Sequence, residues 1–81
     1  MTRNVRVQYF GILREQRGCG EESRETGAAS PLDLYRELAG EHGFSLDPEN
    51  LRVAVNDEFR DWDSILAEGD KVVFIPPVAG G

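Results

Sequence analysis

The segment Lys71-Val72-Val73-Phe74-Ile75 carries four consecutive apolar residues and stops at Pro76-Pro77. Successive side chains on a strand point to opposite faces, so such a run needs shielding on both. It reads as a central strand covered on both sides, and prolines, which cannot donate to a ladder, end it. In a chain of 81 residues there is room for one domain and one sheet. A domain this small buries only about 60% of the surface its unfolded chain exposes. An enclosed active site has little space, so chemistry sits on the surface, at an end, or in a partner.

The remaining segments must supply the neighbours of that strand. Val5-Arg6-Val7-Gln8-Tyr9-Phe10 alternates with period two. Val5, Val7 and Tyr9 face one way, and Arg6, Gln8 and Phe10 the other. Gly11 breaks the strand, and Ile12 to Arg17 predicts a short helix capped by Gly18. Residues 21–27 hold four charges in seven positions and no strongly apolar side chain, so they read as an edge strand or a mobile loop. Ser30, Pro31 and Asp33 have the cap, first-turn proline and acid of a helix start. Leu32, Leu34, Tyr35, Leu38 and Ala39 share one side of that helix. Asp33, Arg36, Glu37 and Glu41 share the other, and Gly43 closes it. Phe44 to Asn50 reads as a loop and Leu51 to Val55 as a strand. Asn56-Asp57 then turns the chain into Glu58-Phe59-Arg60. Asp63 to Asp70 is an irregular connection with Ile65 and Leu66 tucked beneath it. The order predicts an α+β roll, a mixed sheet packed on one main helix, with the first and last strands adjacent in the middle. The domain spans residues 1–75, and residues 76–81 form a tail.

Charge and residue content exclude several function classes. Fifteen acids against nine lysines and arginines give a net charge of −6. Nucleic acid calls for a basic face, so none is expected, whereas a basic protein partner suits this balance. No apolar run approaches the roughly 20 residues of a membrane span, and Met1 to Val5 lacks a signal-peptide core. A cytoplasmic location without a membrane partner is expected. Cys19 is the only cysteine, so neither an internal disulfide nor a cysteine zinc site can form. Arg14 and Arg17 lie near it in sequence, but no histidine or acid is spaced to make a nucleophile pair, and it reads as an inert small residue. His42, the one histidine, reads as a packed helix-end residue and not a metal ligand. Asp61 and Asp63 read as a solvated pair and not a catalytic one. The chain has no phosphate-cradling glycine loop, no metal-ligand spacing and no serine-histidine-acid set. Catalysis by the chain alone is therefore not expected, and no cofactor or metal is expected to be bound.

The end of the chain is the informative part. Pro76-Pro77-Val78-Ala79-Gly80-Gly81 directly follows the apolar strand. The prolines favour an extended exit, and the last four residues reach about 13 Å when extended. Two glycines without Cβ atoms can slide into a narrow channel and bring a carboxylate close to a bound phosphate. This suits activation of the Gly81 carboxylate by ATP. An acyl-adenylate is electrophilic, a sulfur donor converts it to a thiocarboxylate, and that anion is a good sulfur nucleophile. The chain then acts as handle and cargo, like other group carriers.

Val72-Val73-Phe74-Ile75-Pro76-Pro77-Val78-Ala79-Gly80-Gly81 strongly resembles the C-terminus of the small, sulfur-carrying subunits of molybdopterin synthase. Val7 to Glu15, Val53-Ala54-Val55-Asn56 and Leu66 to Val72 are similar to other parts of that family, in the same order. The resemblance implies a ubiquitin-like β-grasp fold. It implies that Gly81, preceded by Gly80, is adenylated by an E1-like adenylyltransferase that uses ATP, and then becomes a 1-thioglycine. It implies that the tail enters a larger catalytic subunit, in a heterotetramer of two large and two small subunits. There the sulfur goes to cyclic pyranopterin monophosphate to build the molybdopterin dithiolene. Residues 21–27 depart from the family, which usually has apolar alternation in its second strand. The family docks its partners through an exposed apolar sheet face. If Val5, Val7, Val53, Val55, Val72 and Phe74 face the helix, that docking face here holds Phe10, Phe59, Val73 and Ile75. The same fold and ending would also serve a sulfur carrier for thiamine, cysteine or tRNA thiolation, or a ubiquitin-like protein modifier.

Overall fold

The computed structural model describes residues 1–77. Strand β1 (Arg3–Tyr9) leads through helix α1 (Gly11–Arg17) to β2 (Glu21–Thr26). Helix α2 (Pro31–His42) follows, then β3 (Arg52–Val55), β4 (Glu58–Phe59) and β5 (Lys71–Ile75). The five strands form one sheet in the order β2-β1-β5-β3-β4. β5 is therefore central, and β1 lies beside it as the only parallel pair among the described residues, with Val7 opposite Val72 and Tyr9 opposite Phe74. The remaining pairs are antiparallel.

The helix ends follow from their sequence. Ser30 is extended and its side chain accepts from the Asp33 N–H at 3.2 Å, with Pro31 in the first turn. Gly43 takes φ +69° and bonds back to Ala39, a left-handed cap that glycine adopts without a Cβ penalty. Leu34, Tyr35 and Leu38 of α2 press on Val5, Val7, Tyr9, Val53, Val55, Val72 and Phe74 of the sheet. Tyr35 sits 5.2 Å from the Phe74 ring and 5.7 Å from Phe44, and its hydroxyl donates to the Leu46 carbonyl at 2.7 Å. Asn56 and Asp57 both have positive φ, the backbone of a tight hairpin turn that matches strand twist. Asn56 also fixes the start of β5, since its amide donates to Asp70 and its oxygen accepts from the Lys71 N–H.

Three expectations change. β5 is central but has a helix on only one face. Val72 and Phe74 point to α2, whereas Val73 is kept 8% exposed by Gln8 and Ala54 on the flanking strands. The stretch 44–50 contains a short 3-10 turn at Pro48–Asn50. Leu66 is buried, but Ile65 is 81% exposed. The Leu66 N–H donates to the Ala29 carbonyl, which turns Leu66 inward and leaves its neighbour facing water.

Within residues 21–27, Glu21–Thr26 form the edge strand β2, and its chemistry explains the missing apolar alternation. Register with β1 puts Glu22, Arg24 and Thr26 on the helix side. Arg17 of α1 grips Glu22 through two bonds of 2.8 and 3.0 Å, and Tyr9 donates to the same carboxylate at 2.6 Å. Arg24 reaches Glu37 at 2.8 Å and also pairs with Glu41, both on α2. Thr26 donates to Glu37 at 2.9 Å. The strand docks on the helices through ion pairs where a core strand would use valines.

These contacts make stability pH-dependent. Hydrogen bonds from Arg17 lower the Glu22 carboxyl to about 2, with Tyr9 adding to the effect and burial opposing it. A folded-state value below the unfolded one stabilises fully above the unfolded pKa, and that stability is lost as pH falls toward 2. Glu22→Gln should therefore lower stability at pH 7 by about 1–3 kcal/mol. It should also flatten the fall in urea midpoint between about pH 4.5 and 2; a slope equal to that of the unsubstituted chain would contradict this. The two faces of the sheet should also differ. Phe74→Ala should cost about 3–5 kcal/mol, and Phe59→Ala, at a side chain 67% exposed, less than about 0.5 kcal/mol. Equal losses in denaturant unfolding would contradict the open-face assignment.

Candidate functional site

The uncovered sheet face is built from one lateral row. Gln8 lies opposite Val73, Val73 opposite Ala54, and Ala54 opposite Phe59, across β1, β5, β3 and β4. Directly opposed residues bring their Cβ atoms to about 4.5–5.5 Å, so the row is a continuous strip. Phe10 and Ile75 extend it on the side where β1 and β5 end, and Asp57 and Lys71 border the shallow groove that results. The four apolar residues expected on this face thus come together in one place. Phe10 is 44% and Phe59 67% exposed, while Ile75 is half-buried and Val73 lies deepest.

Charges frame the strip without crossing it. Arg52, opposite Ile75, holds its guanidinium 5.7 Å from the centre of the Phe59 ring, a cation–π arrangement. Lys71 pairs with Asp57 at 3.7 Å, and Arg6 pairs with Glu21 further out. Each of these cations has a partner, and the strip between them is apolar apart from Gln8. Alternation in the sequence puts Gln8 beside Phe10 on this face, whereas Ala54 and Arg52 were not singled out, although period-two counting from Val53 places both here.

The groove leads to the end of the described chain. β5 runs out at Ile75, and Pro76 and Pro77 follow without regular structure. Gly80 and Gly81, the residues expected to carry the chemistry, lie outside the described residues. The other candidates do not assemble into a site. Cys19 is half-buried and packs on the core. His42 is half-buried with its ring 5.8 Å from Phe44, and its Nε2 has no hydrogen-bond partner among the described residues. Asp61 and Asp63 are exposed, and the Asp61 carbonyl accepts from Ser64. Among the described residues no group of three histidine, cysteine or acidic side chains is placed to hold a metal. No helix among them is long and apolar enough to cross a membrane. What the face offers is a rigid apolar platform beside a strand exit, suited to docking.

Known proteins share this architecture and sequence. Residues 7–81 match the ThiS family. The molybdopterin synthase sulfur carrier subunit of Mycobacterium tuberculosis is 34% identical over 95% of this chain and 96% of its own length. A molybdopterin converting factor subunit 1 homologue from Pyrococcus furiosus superposes with a TM-score of 0.76 at 31% identity, covering 94% of this chain and 99% of that one. A Helicobacter pylori structure of a protein–protein complex of subunits 1 and 2 of molybdopterin-converting factor matches with a TM-score of 0.64 at 28% identity, over 96% of this chain and 99% of that one. The fold is the ubiquitin-like β-grasp. By sheet order and by matches over nearly its whole length, the chain belongs to the ThiS family, among the sulfur carriers of the molybdopterin synthase family.

Proposed function

We propose that this chain is the sulfur carrier subunit of a molybdopterin synthase and that the carboxylate of Gly81 is its working group. The observation that carries the reading is positional. The central strand β5 ends at Ile75, on the margin of the one apolar face that the described fold leaves open, and Pro76-Pro77 follow it there. A partner seated on Phe10, Phe59, Val73 and Ile75 therefore lies beside the start of the tail.

In this reading the Gly81 carboxylate attacks the α-phosphorus of ATP in an E1-like adenylyltransferase, and pyrophosphate leaves. A hydrosulfide-level donor then displaces AMP and leaves the thiocarboxylate. In the large catalytic subunit that sulfur moves to cyclic pyranopterin monophosphate, and water returns Gly81 to the carboxylate. Each carrier delivers one sulfur, so a dithiolene needs two deliveries, which a heterotetramer with two small subunits can supply. The domain holds the tail and provides the docking face; ATP binding and sulfur acceptance belong to the partners. Binding energy from the remote sheet face converts a bimolecular encounter at Gly81 into a positioned one.

Intact mass after incubation with the adenylyltransferase, ATP and a sulfur donor tests the reading. One oxygen should be exchanged for one sulfur at Gly81. Deleting Gly80 and Gly81 should leave the unfolding transition unchanged and abolish dithiolene formation with the large subunit. Lysine-linked adducts without sulfur uptake, or dithiolene formation by the deletion chain, would overturn it.

A further inference from the structure

The outline of the strand exit depends on one glycine that the mechanism above does not use. β1 and β5 run parallel with Tyr9 opposite Phe74, so the residues after each strand leave side by side. β1 turns away at Phe10, and α1 begins at Gly11 with φ +57°. Pro76 lies on the side of Gly11 where a side chain would project. A Cβ built on Gly11 would stand 3.2 Å from Pro76 Cγ, closer than the pair can sit without one of them yielding. Across from Gly11, the Glu49–Arg52 segment borders a second groove that Ile75, Pro76 and Pro77 complete. Pro76 thus has the start of α1 against one side and an open groove toward the start of β3 on the other, and the proline ring fixes its own φ.

We infer that Gly11 is a positioning residue for the tail: its missing side chain sets the direction in which Pro76 and Pro77 leave the sheet. The inference rests on the proposed carrier function for its consequence, but its geometric part stands without it. A side chain at position 11 pushes the Pro76 ring toward the Glu49–Arg52 groove and changes the direction in which Pro77 leaves. Misplacing a reacting group by about 1 Å can cost on the order of 100-fold in rate.

Gly18 supplies the matched control. It is also left-handed, at φ +88°, but a Cβ there meets nothing within 4 Å. Gly18→Ala therefore introduces backbone strain of the same kind without touching the exit. The test compares Gly11→Val, Gly11→Ala and Gly18→Ala, each first checked for a cooperative unfolding transition; the alanine variant keeps the test open if valine prevents folding. The first readout needs no sulfur chemistry. The amide chemical shift of Val78, the first N–H after the prolines, should move with the Gly11 substitutions and stay in place with Gly18→Ala. The second readout is transfer. Affinity for the large subunit should change less than about threefold, because the sheet face is intact, while single-turnover sulfur transfer from the thiocarboxylate should fall about 10- to 100-fold. The penalty of Gly11→Ala should shrink when Pro76 is also replaced by alanine, which removes Cγ but keeps Cβ. An unmoved Val78 shift, a transfer rate equal to that of the unsubstituted chain, an equal loss in Gly18→Ala, or the same penalty in both Pro76 backgrounds would each overturn the inference. Failure of the unsubstituted chain to accept sulfur would overturn the carrier function instead, and the Val78 shift would still decide the role of Gly11.

Discussion

The parallel pairing of β1 with β5 is the constraint on which the rest depends. It puts the last strand of the chain in the centre of the sheet, hydrogen-bonded on both edges. Long-range parallel pairing has to overcome the entropy of closing most of the chain into one loop. The acidic turn before β5 helps to hold that closure. The Gly69 N–H donates to Asn4 at 2.7 Å, the Asn4 N–H donates to Glu68 at 2.9 Å, and the Arg6 N–H donates to Asp70 at 2.9 Å. Glu68-Gly69-Asp70 thereby ties the beginning of β5 to the beginning of β1, and register follows from there. The chain can then leave from a rigid strand end, and not from a frayed edge.

The two sides of the sheet divide the work. Tyr35, Phe44, Trp62 and Phe74 fill the helix side with aromatic contacts at 5.2 to 6.0 Å. The other side keeps an apolar strip framed by charges that are already paired. Phe59 in this strip gains little burial from the fold, at 67% exposed, so its apolar side chain is not required for stability. Exposed contiguous apolar surface on a small domain is the usual mark of an interaction site. In the proposed function this surface and the tail form one device, with docking at the strip and chemistry at Gly81.

Much of this was legible in the sequence because period-two and period-3.6 patterns are strong where burial is one-sided. Val5, Val7 and Tyr9 announced their face, and so did Leu34, Tyr35 and Leu38. The Asn56-Asp57 turn and the Gly18 and Gly43 caps were readable because positive φ is confined to few residue types. The failures have physical causes. β2 was ambiguous because Glu22, Arg24 and Thr26 face inward, and their partners Arg17, Glu37 and Glu41 lie on two separate helices. No local pattern records a pairing of that kind. Val72 to Ile75 suggested cover on both faces because lateral neighbours can bury Val73 as fully as a helix would. Ile65 and Leu66 looked equivalent, and only the bond from Leu66 to Ala29 separates them. The contact of Gly11 with Pro76 joins positions 65 residues apart, and so it was visible only in three dimensions.

Backbone amide mapping of the labelled chain, titrated with the large catalytic subunit of molybdopterin synthase, tests the central claim most directly. The account predicts that perturbed amides concentrate at Gln8, Phe10, Ala54, Phe59, Val73 and Ile75 and continue into the residues after Pro77, while Arg36 and Gly40 on the outer side of α2 stay unchanged. Perturbations centred on Arg36 and Gly40, with the strip silent, would contradict it.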